Sequence, residues 1–181
     1  MNDLALHILD IVQNSISAGA LLIRIIVSEN LIKDLLSITI EDNGKGMTEE
    51  QVSKLADPFF TSRTTRKVGM GIPLFKQSAE QSGGRLDIKS KVGIGTTITA
   101  TFAYSNIDRP PLGDVANAVI ILVTSNPTIR FVYEYSFNDR SYLFDTKEIM
   151  EVLGDVPINT PGVAKYLEEM VKENMEEARE S

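Results

Sequence analysis

Apolar residues recur at helical spacing from the start of the chain. Leu4, Ile8, Ile11 and Val12 share a stripe with Ser15, Asp3 is placed to cap the start and Gly19 to end it, so residues 3–18 are predicted as a helix. "LLIRIIVSE" (21–29) and "LLSITIED" (35–42) are rich in β-branched residues and read as strands joined by a polar turn around Asn30. Thr48 opens a short helix, with "TEEQ" offering a capping box. Residues 57–70 follow no period. "GIPLFKQSAEQSGG" (71–84) reads as a helix closed by Gly83, and Pro73 fits only its first turn. "RLDIKSK" and "TTITATF" then form a hairpin around "VGIG".

All periodicity stops at "NIDRPPLGD" (106–114), where paired prolines and a glycine mark a linker between a domain at 1–105 and a smaller one at 115–181. Beyond it, "NAVIILVT", "IRFVYEYSF" and "SYLFDT" read as three strands. Asp145 with Glu148 predicts a capped helix to Leu153. Thr160–Pro161 starts a final helix with Val163, Leu167, Met170, Val171 and Met175 on one face. This second part forms either a compact α+β unit of its own or an extension of the first sheet.

Composition narrows the class. At 181 residues, 43% hydrophobic and 24% charged, the chain reads as a globular protein with no apolar run long enough to span a bilayer. The start, "MNDLALHILD", carries an acid where a secretory signal carries lysines, so the expected compartment is the cytoplasm, with no membrane partner. Absence of cysteine excludes disulfides, thiolate metal sites and a cysteine nucleophile. The single histidine, His7, excludes multi-histidine metal sites. Residues 1–114 carry 12 basic against 13 acidic side chains, and residues 115–181 carry 6 against 12. That acidic tail argues against a nucleic-acid partner.

Four clusters carry the candidate chemistry. On the first helix His7, Asp10 and Asn14 form a polar stripe, either a solvated face or the border of a cleft. In "DNGKGM", Asp42 shares strand parity with Ile38 and Ile40 and projects from the strand end on the side they bury. A carboxylate there is either a ligand donor or the acceptor of a hydrogen-bonded turn. "GMG" (69–71) precedes a helix and follows the basic, hydroxyl-rich "TSRTTRK" (61–67), an arrangement suited to phosphate. "GIGT" (93–96) is a hairpin turn whose threonine starts a strand. The glycine spacings match neither a P-loop nor a dinucleotide fingerprint.

The order of these parts is their specific feature: Asp-x-x-x-Asn on a first helix, D-x-G-x-G, Pro-Phe-Phe, Gly-x-Gly before a helix, and G-x-G-T before a strand. It resembles the ATP-binding domain shared by gyrase, the Hsp chaperones, sensor histidine kinases and mismatch-repair ATPases (the GHKL superfamily, Bergerat fold). The resemblance covers residues 1–103, and "PFFTSR…GMGIPL…SGGRLDIKSKVGIGTTITATF" is most similar to the catalytic half of a histidine kinase.

The resemblance implies an α+β fold, a two-layer α/β sandwich in which helices cover one face of a mixed sheet; the residues after the linker are expected to add a smaller C-terminal α+β domain. It implies ATP (or ADP) and Mg²⁺ as ligands. Asn14 matches the Mg²⁺-coordinating asparagine, Asp42 the aspartate that accepts from the adenine amine, and Gly44 and Gly46 the glycines that make room for the base, beside Met47. Phe59 and Phe60 match the base of a lid containing Arg63, Arg66 and Lys67. Gly69, Met70 and Gly71 match the phosphate-contacting helix start, and Thr96 the hydroxyl that supports the aspartate. Asp10 stands where the family usually places a glutamate general base, and Pro73 where it has a small residue. His7 either orients Asp10 or is an ordinary histidine at the cleft edge.

Three functions follow as expectations. The first is a freestanding kinase that transfers the γ-phosphoryl group to a separate protein, as the similar anti-sigma-factor serine kinases do. The second is a nucleotide-responsive binding module without catalysis, and the third a slow ATPase. A phospho-accepting histidine domain is not expected within this sequence. A protein partner is expected, and a homodimer is compatible with the resemblance.

Overall fold

A computed structural model describes residues 3–55 and 71–180. Helix α1 (Leu4–Ser17) is followed by strands β1 (Leu22–Asn30) and β2 (Leu35–Asp42), helix α2 (Glu49–Leu55), helix α3 (Gly71–Gln81), and strands β3 (Arg85–Lys91) and β4 (Gly95–Ala103). Helix α4 (Val115–Ser125), strands β5 (Arg130–Phe137) and β6 (Arg140–Asp145), and helices α5 (Thr146–Leu153) and α6 (Pro161–Arg179) complete the order.

The expected punctuation forms locally. Asp3 accepts from the Leu6 amide at 2.9 Å, satisfying one first-turn donor of α1, and Gly19 adopts φ +76° beyond its end. Thr48 and Gln51 bond each other's backbone amides at 3.2 and 2.9 Å, a closed capping box. The 106–114 segment also returns to α1, whose Leu4 and Ala5 amides donate to the Pro111 and Leu112 carbonyls at 2.9 Å.

The sheet has six strands in the order β3-β4-β2-β1-β5-β6, with β1 and β5 parallel and the other pairs antiparallel. Because side chains alternate faces, register places one residue per strand in rows across the sheet. Ile88, Ile98, Ile40, Ile25, Tyr133 and Phe144 make such a row. Its four central members, Ile98, Ile40, Ile25 and Tyr133, are buried beneath the helices, and burial of an isoleucine stabilises by about 2 kcal/mol. Helix α1 lies over β2 and against α3 and α4, α3 lies over β3 and β4, and α6 lies over β5 and β6. The opposite face carries half-exposed Arg24, Thr39, Thr97, Thr99 and Glu134. The result is the expected two-layer α+β sandwich.

One expectation is corrected. "NAVIILVT" is not a strand but most of α4, where Val115, Ala116, Ala118, Val119, Ile120, Leu122 and Val123 are buried. A short apolar run lacks the polar face that would reveal its period, and Asp114, accepting from the Asn117 amide at 3.0 Å, starts the helix. Residues 115–181 also supply β5 and β6 to the same sheet, the second of the two arrangements left open for them.

Candidate functional site

A second cross-sheet row, one step nearer the strand ends, runs Ser90, Thr96, Asp42, Ile23, Phe131. Asp42 therefore lies on the helix-covered face, as its parity with Ile38 and Ile40 requires. It is half-buried, and it makes the hydrogen-bonded turn that the sequence left as one of two alternatives. Its Oδ1 accepts from the Gly44 amide at 2.9 Å, the bond of an Asx turn, and the residue borders a cavity of about 260 Å³ whose lining includes Lys89, Ser90, Ile94, Gly95 and Thr96. A second cavity, of about 310 Å³, is bordered by Lys45, Gly46, Met47, Gln51, Lys54 and Leu55.

The turn after Asp42 is fastened on three sides. Asn43 Oδ1 accepts from the Leu21 and Leu22 amides at 2.8 and 2.9 Å, and the Lys45 amide donates to the Ala18 carbonyl at 2.9 Å. The Lys45 carbonyl accepts from the Gly93 amide at 2.7 Å, tying the turn to the β3–β4 hairpin. Both glycines are forced by these contacts. A Cβ at Gly44 would lie 2.8 Å from Ala18 Cβ, and one at Gly46, where φ is +72°, would lie 2.0 Å from the Lys91 carbonyl oxygen.

Helix α1 lies beside this turn, its C-cap residue Ala18 holding the Lys45 amide. Asp10 and Asn14 stand one turn apart on one side of it. Asp10 is exposed and makes no hydrogen bond or ion pair with any described residue. Asn14 is partly buried, and its Nδ2 is shielded from solvent without a hydrogen-bond partner. Buried Gly71, at the start of α3, packs on Asp10, and a Cβ there would meet Asp10 Cβ at 3.4 Å. The second and fourth clusters thus meet at one end of the sheet, and Gly71 from the third packs on Asp10 of the first. Phe59, Phe60, Arg63, Arg66, Lys67, Gly69 and Met70 lie outside the described residues.

His7 turns inward, away from the cleft edge. It is 4% exposed, its ring stacks on Phe75 at 5.1 Å, and its Nε2 lies 3.1 Å from Ser78 Oγ. No hydrogen bond joins it to Asp10. Burial lowers its pKa, against the opposing pull of Asp10 and Asp3.

Two serines were not among the candidates. Ser15 Oγ donates to Asp42 Oδ2 at 2.6 Å. Ser90 Oγ accepts from the Met47 amide at 2.8 Å, lies 2.7 Å from Thr96 Oγ1 and 3.1 Å from the Gly95 carbonyl oxygen. The Thr96 hydroxyl therefore meets Ser90, and the hydroxyl directly on Asp42 belongs to Ser15. The available signal was a serine in each apolar stripe: Ser15 beside Ile11 and Val12, and Ser90 in parity with Leu86 and Ile88.

Residues 2–106 match the family of histidine kinase-, DNA gyrase B- and HSP90-like ATPases. The chain belongs to this family. Membership supports ATP binding. Among curated relatives, the non-motile and phage-resistance protein of Caulobacter vibrioides is 30% identical over 111 residues, 56% of this chain and 13% of that protein. A probable C4-dicarboxylate sensor kinase of Bacillus subtilis is 35% identical over 79 residues, 44% of this chain and 15% of that one. The chain thus corresponds to a small part of each relative's length. Among solved structures, the N-terminal domain of a DNA repair protein superposes with a TM-score of 0.60 at 19% identity, covering 86% of this chain and 58% of that one. The Aquifex aeolicus MutL ATPase domain complexed with ADP has a TM-score of 0.51 at 15% identity, covering 84% and 69%. Their coverage extends the likeness of fold beyond residue 106. Among the described residues no helix is long and apolar enough to cross a membrane.

Proposed function

We propose that the chain binds Mg·ATP between α1, the end of β2 and the start of α3, and passes the γ-phosphoryl group to a separate protein. Asn14 carries this reading. Its side-chain amide holds a buried polar atom with no hydrogen-bond partner among the described residues, which is costly unless a ligand supplies one. The nitrogen and oxygen of such an amide are interchangeable by rotation, and its carbonyl oxygen is a hard donor suited to Mg²⁺. Asn14 would hold a Mg²⁺ ion there, which would supply positive charge against the phosphates.

The other roles follow from position. Asp42 accepts the adenine exocyclic amine, with Thr96 behind it in the same row and Met47 at the edge of the turn. Gly71 offers the backbone of a helix start to the phosphates, joined by Gly69 and Met70. The family resemblance, and not any described position, gives Phe60 the role of covering the nucleotide and Arg63, Arg66 and Lys67 that of neutralising its phosphates. Asp10, exposed and without a hydrogen bond or ion pair among the described residues, takes the proton of the acceptor group. As that group forms its bond to the γ-phosphorus, the bond from phosphorus to the bridging oxygen breaks, and ADP leaves with the electron pair. The kinase relative supports transfer, and the ADP-bound neighbour supports an adenine nucleotide as ligand.

Calorimetry with Mg·ATP tests the site: Asp42→Asn binding as tightly as wild type removes the adenine assignment. Incubation with γ-labelled ATP and co-purifying proteins tests transfer, which is expected to label a partner only when Asn14 is intact. A second reading, a nucleotide-responsive module without transfer, is favoured by Asp10, which reaches one methylene less far than a glutamate. Tight ATP binding with no labelled partner selects it.

A further inference from the structure

The Asp42 carboxylate is held by two protein donors, one on each oxygen: the Gly44 amide on Oδ1 at 2.9 Å and the Ser15 hydroxyl on Oδ2 at 2.6 Å. A helix serine commonly turns its hydroxyl back to the carbonyl four residues earlier; Ser15, 2% exposed on the sheet-facing side of α1, donates across to β2 instead. Each carboxylate oxygen has two lone pairs, so each keeps one acceptor site free. With one donor on each oxygen, the carboxylate plane is held about its last torsion, and its remaining lone pairs keep a fixed direction.

We infer that Ser15 is a positioning residue for base discrimination: by fixing the Asp42 carboxylate as an acceptor, it makes the pocket select a 6-amino purine and reject a 6-oxo purine. The inference rests on the adenine role proposed for Asp42. A 6-amino group donates into the fixed lone pair. A 6-oxo group sets its own carbonyl oxygen against that lone pair and leaves both acceptors unpaired, which is the arrangement that gives a polar pocket its strongest discrimination. Without Ser15 the carboxylate retains only the Gly44 bond and can rotate, so the donor–acceptor mismatch is relieved.

The test compares calorimetric affinities of the full chain for Mg·ATP and Mg·inosine triphosphate, which share ribose and phosphates and differ only at the base. Wild type is expected to favour ATP, and Ser15→Ala to lower the ATP-to-inosine ratio by about tenfold. In an Asp42→Asn background, Ser15→Ala should leave the ratio unchanged, because Ser15 acts through that carboxylate. Ser15→Cys, nearly isosteric with a weaker donor, carries the same expectation at smaller amplitude should the alanine variant not fold. An equal loss for both nucleotides, as packing damage alone would give, overturns the role of Ser15 and leaves that of Asp42 standing. No preference for ATP in wild type overturns both.

Discussion

Gly46 and Lys91 approach so closely that a single added carbon at Gly46 would lie 2.0 Å from the Lys91 carbonyl oxygen. Since Gly46 also has φ +72°, contact and backbone both exclude a side chain. Gly46→Ala is expected to lower stability by about 2 kcal/mol or more and to abolish ATP binding, because the turn must lift off the β3–β4 hairpin. Urea unfolding and calorimetry on one preparation check both parts. Unchanged ATP affinity would detach the turn from the site.

Ser90 joins the same turn to the strands: its hydroxyl meets the Met47 amide, Thr96 Oγ1 and the Gly95 carbonyl. Ser90→Ala removes the acceptor of a part-buried amide, a loss of about 1 kcal/mol. ATP affinity should fall about fivefold, and the melting temperature by only a few degrees. Equilibrium binding beside thermal melts distinguishes this from general destabilisation.

His7 makes stability depend on pH. Its pKa in the folded chain is depressed by burial below the unfolded value of 6.5, so in the window between them the unfolded chain binds more protons. Its contribution is therefore fully present above pH 6.5 and is lost as pH falls from there toward the folded pKa. The slope from this group is at most about 1.4 kcal/mol per pH unit. His7→Gln should flatten that part of the profile. Denaturant midpoints between pH 8 and pH 5 check it, and a wild-type profile that the variant reproduces refutes it.

At the far end of β1, buried Glu29 accepts from the Tyr135 hydroxyl, and Arg179 of α6 donates to that hydroxyl at 2.7 Å and approaches Glu29 at 3.5 Å. Arg179→Ala leaves a 5% exposed carboxylate without its cation. Because the arginine side chain is itself 39% exposed, the expected cost is about 1–3 kcal/mol, below that of a fully buried pair. Urea midpoints measure it, and ATP affinity should stay within twofold, since Glu29 and Asp42 stand at opposite ends of the sheet.

The elements that could be read from the chain are those with local causes. The period of α1, its Asp3 cap, the Thr48–Gln51 box and the β3–β4 hairpin each depend on residues a few positions apart. Helix α4 was not legible, because an element buried on all sides has no polar face to set its period. The parity of Asp42 with Ile38 and Ile40 correctly named the face on which its carboxylate lies.

By itself, the sequence determined the ordered set of asparagine, aspartate, glycine and threonine positions that marks an ATPase of this family, since motif spacing is a property of the chain. Tertiary structure alone decided which side chains meet. Whether Ser15 or Thr96 supplies the hydroxyl on Asp42, and whether His7 faces the cleft or Phe75, depends on how α1 and α3 settle on the sheet. It also decided that β5 pairs with β1 across about a hundred residues of intervening chain. Such contacts join residues far apart in sequence, and only the shared burial of one sheet face brings them together.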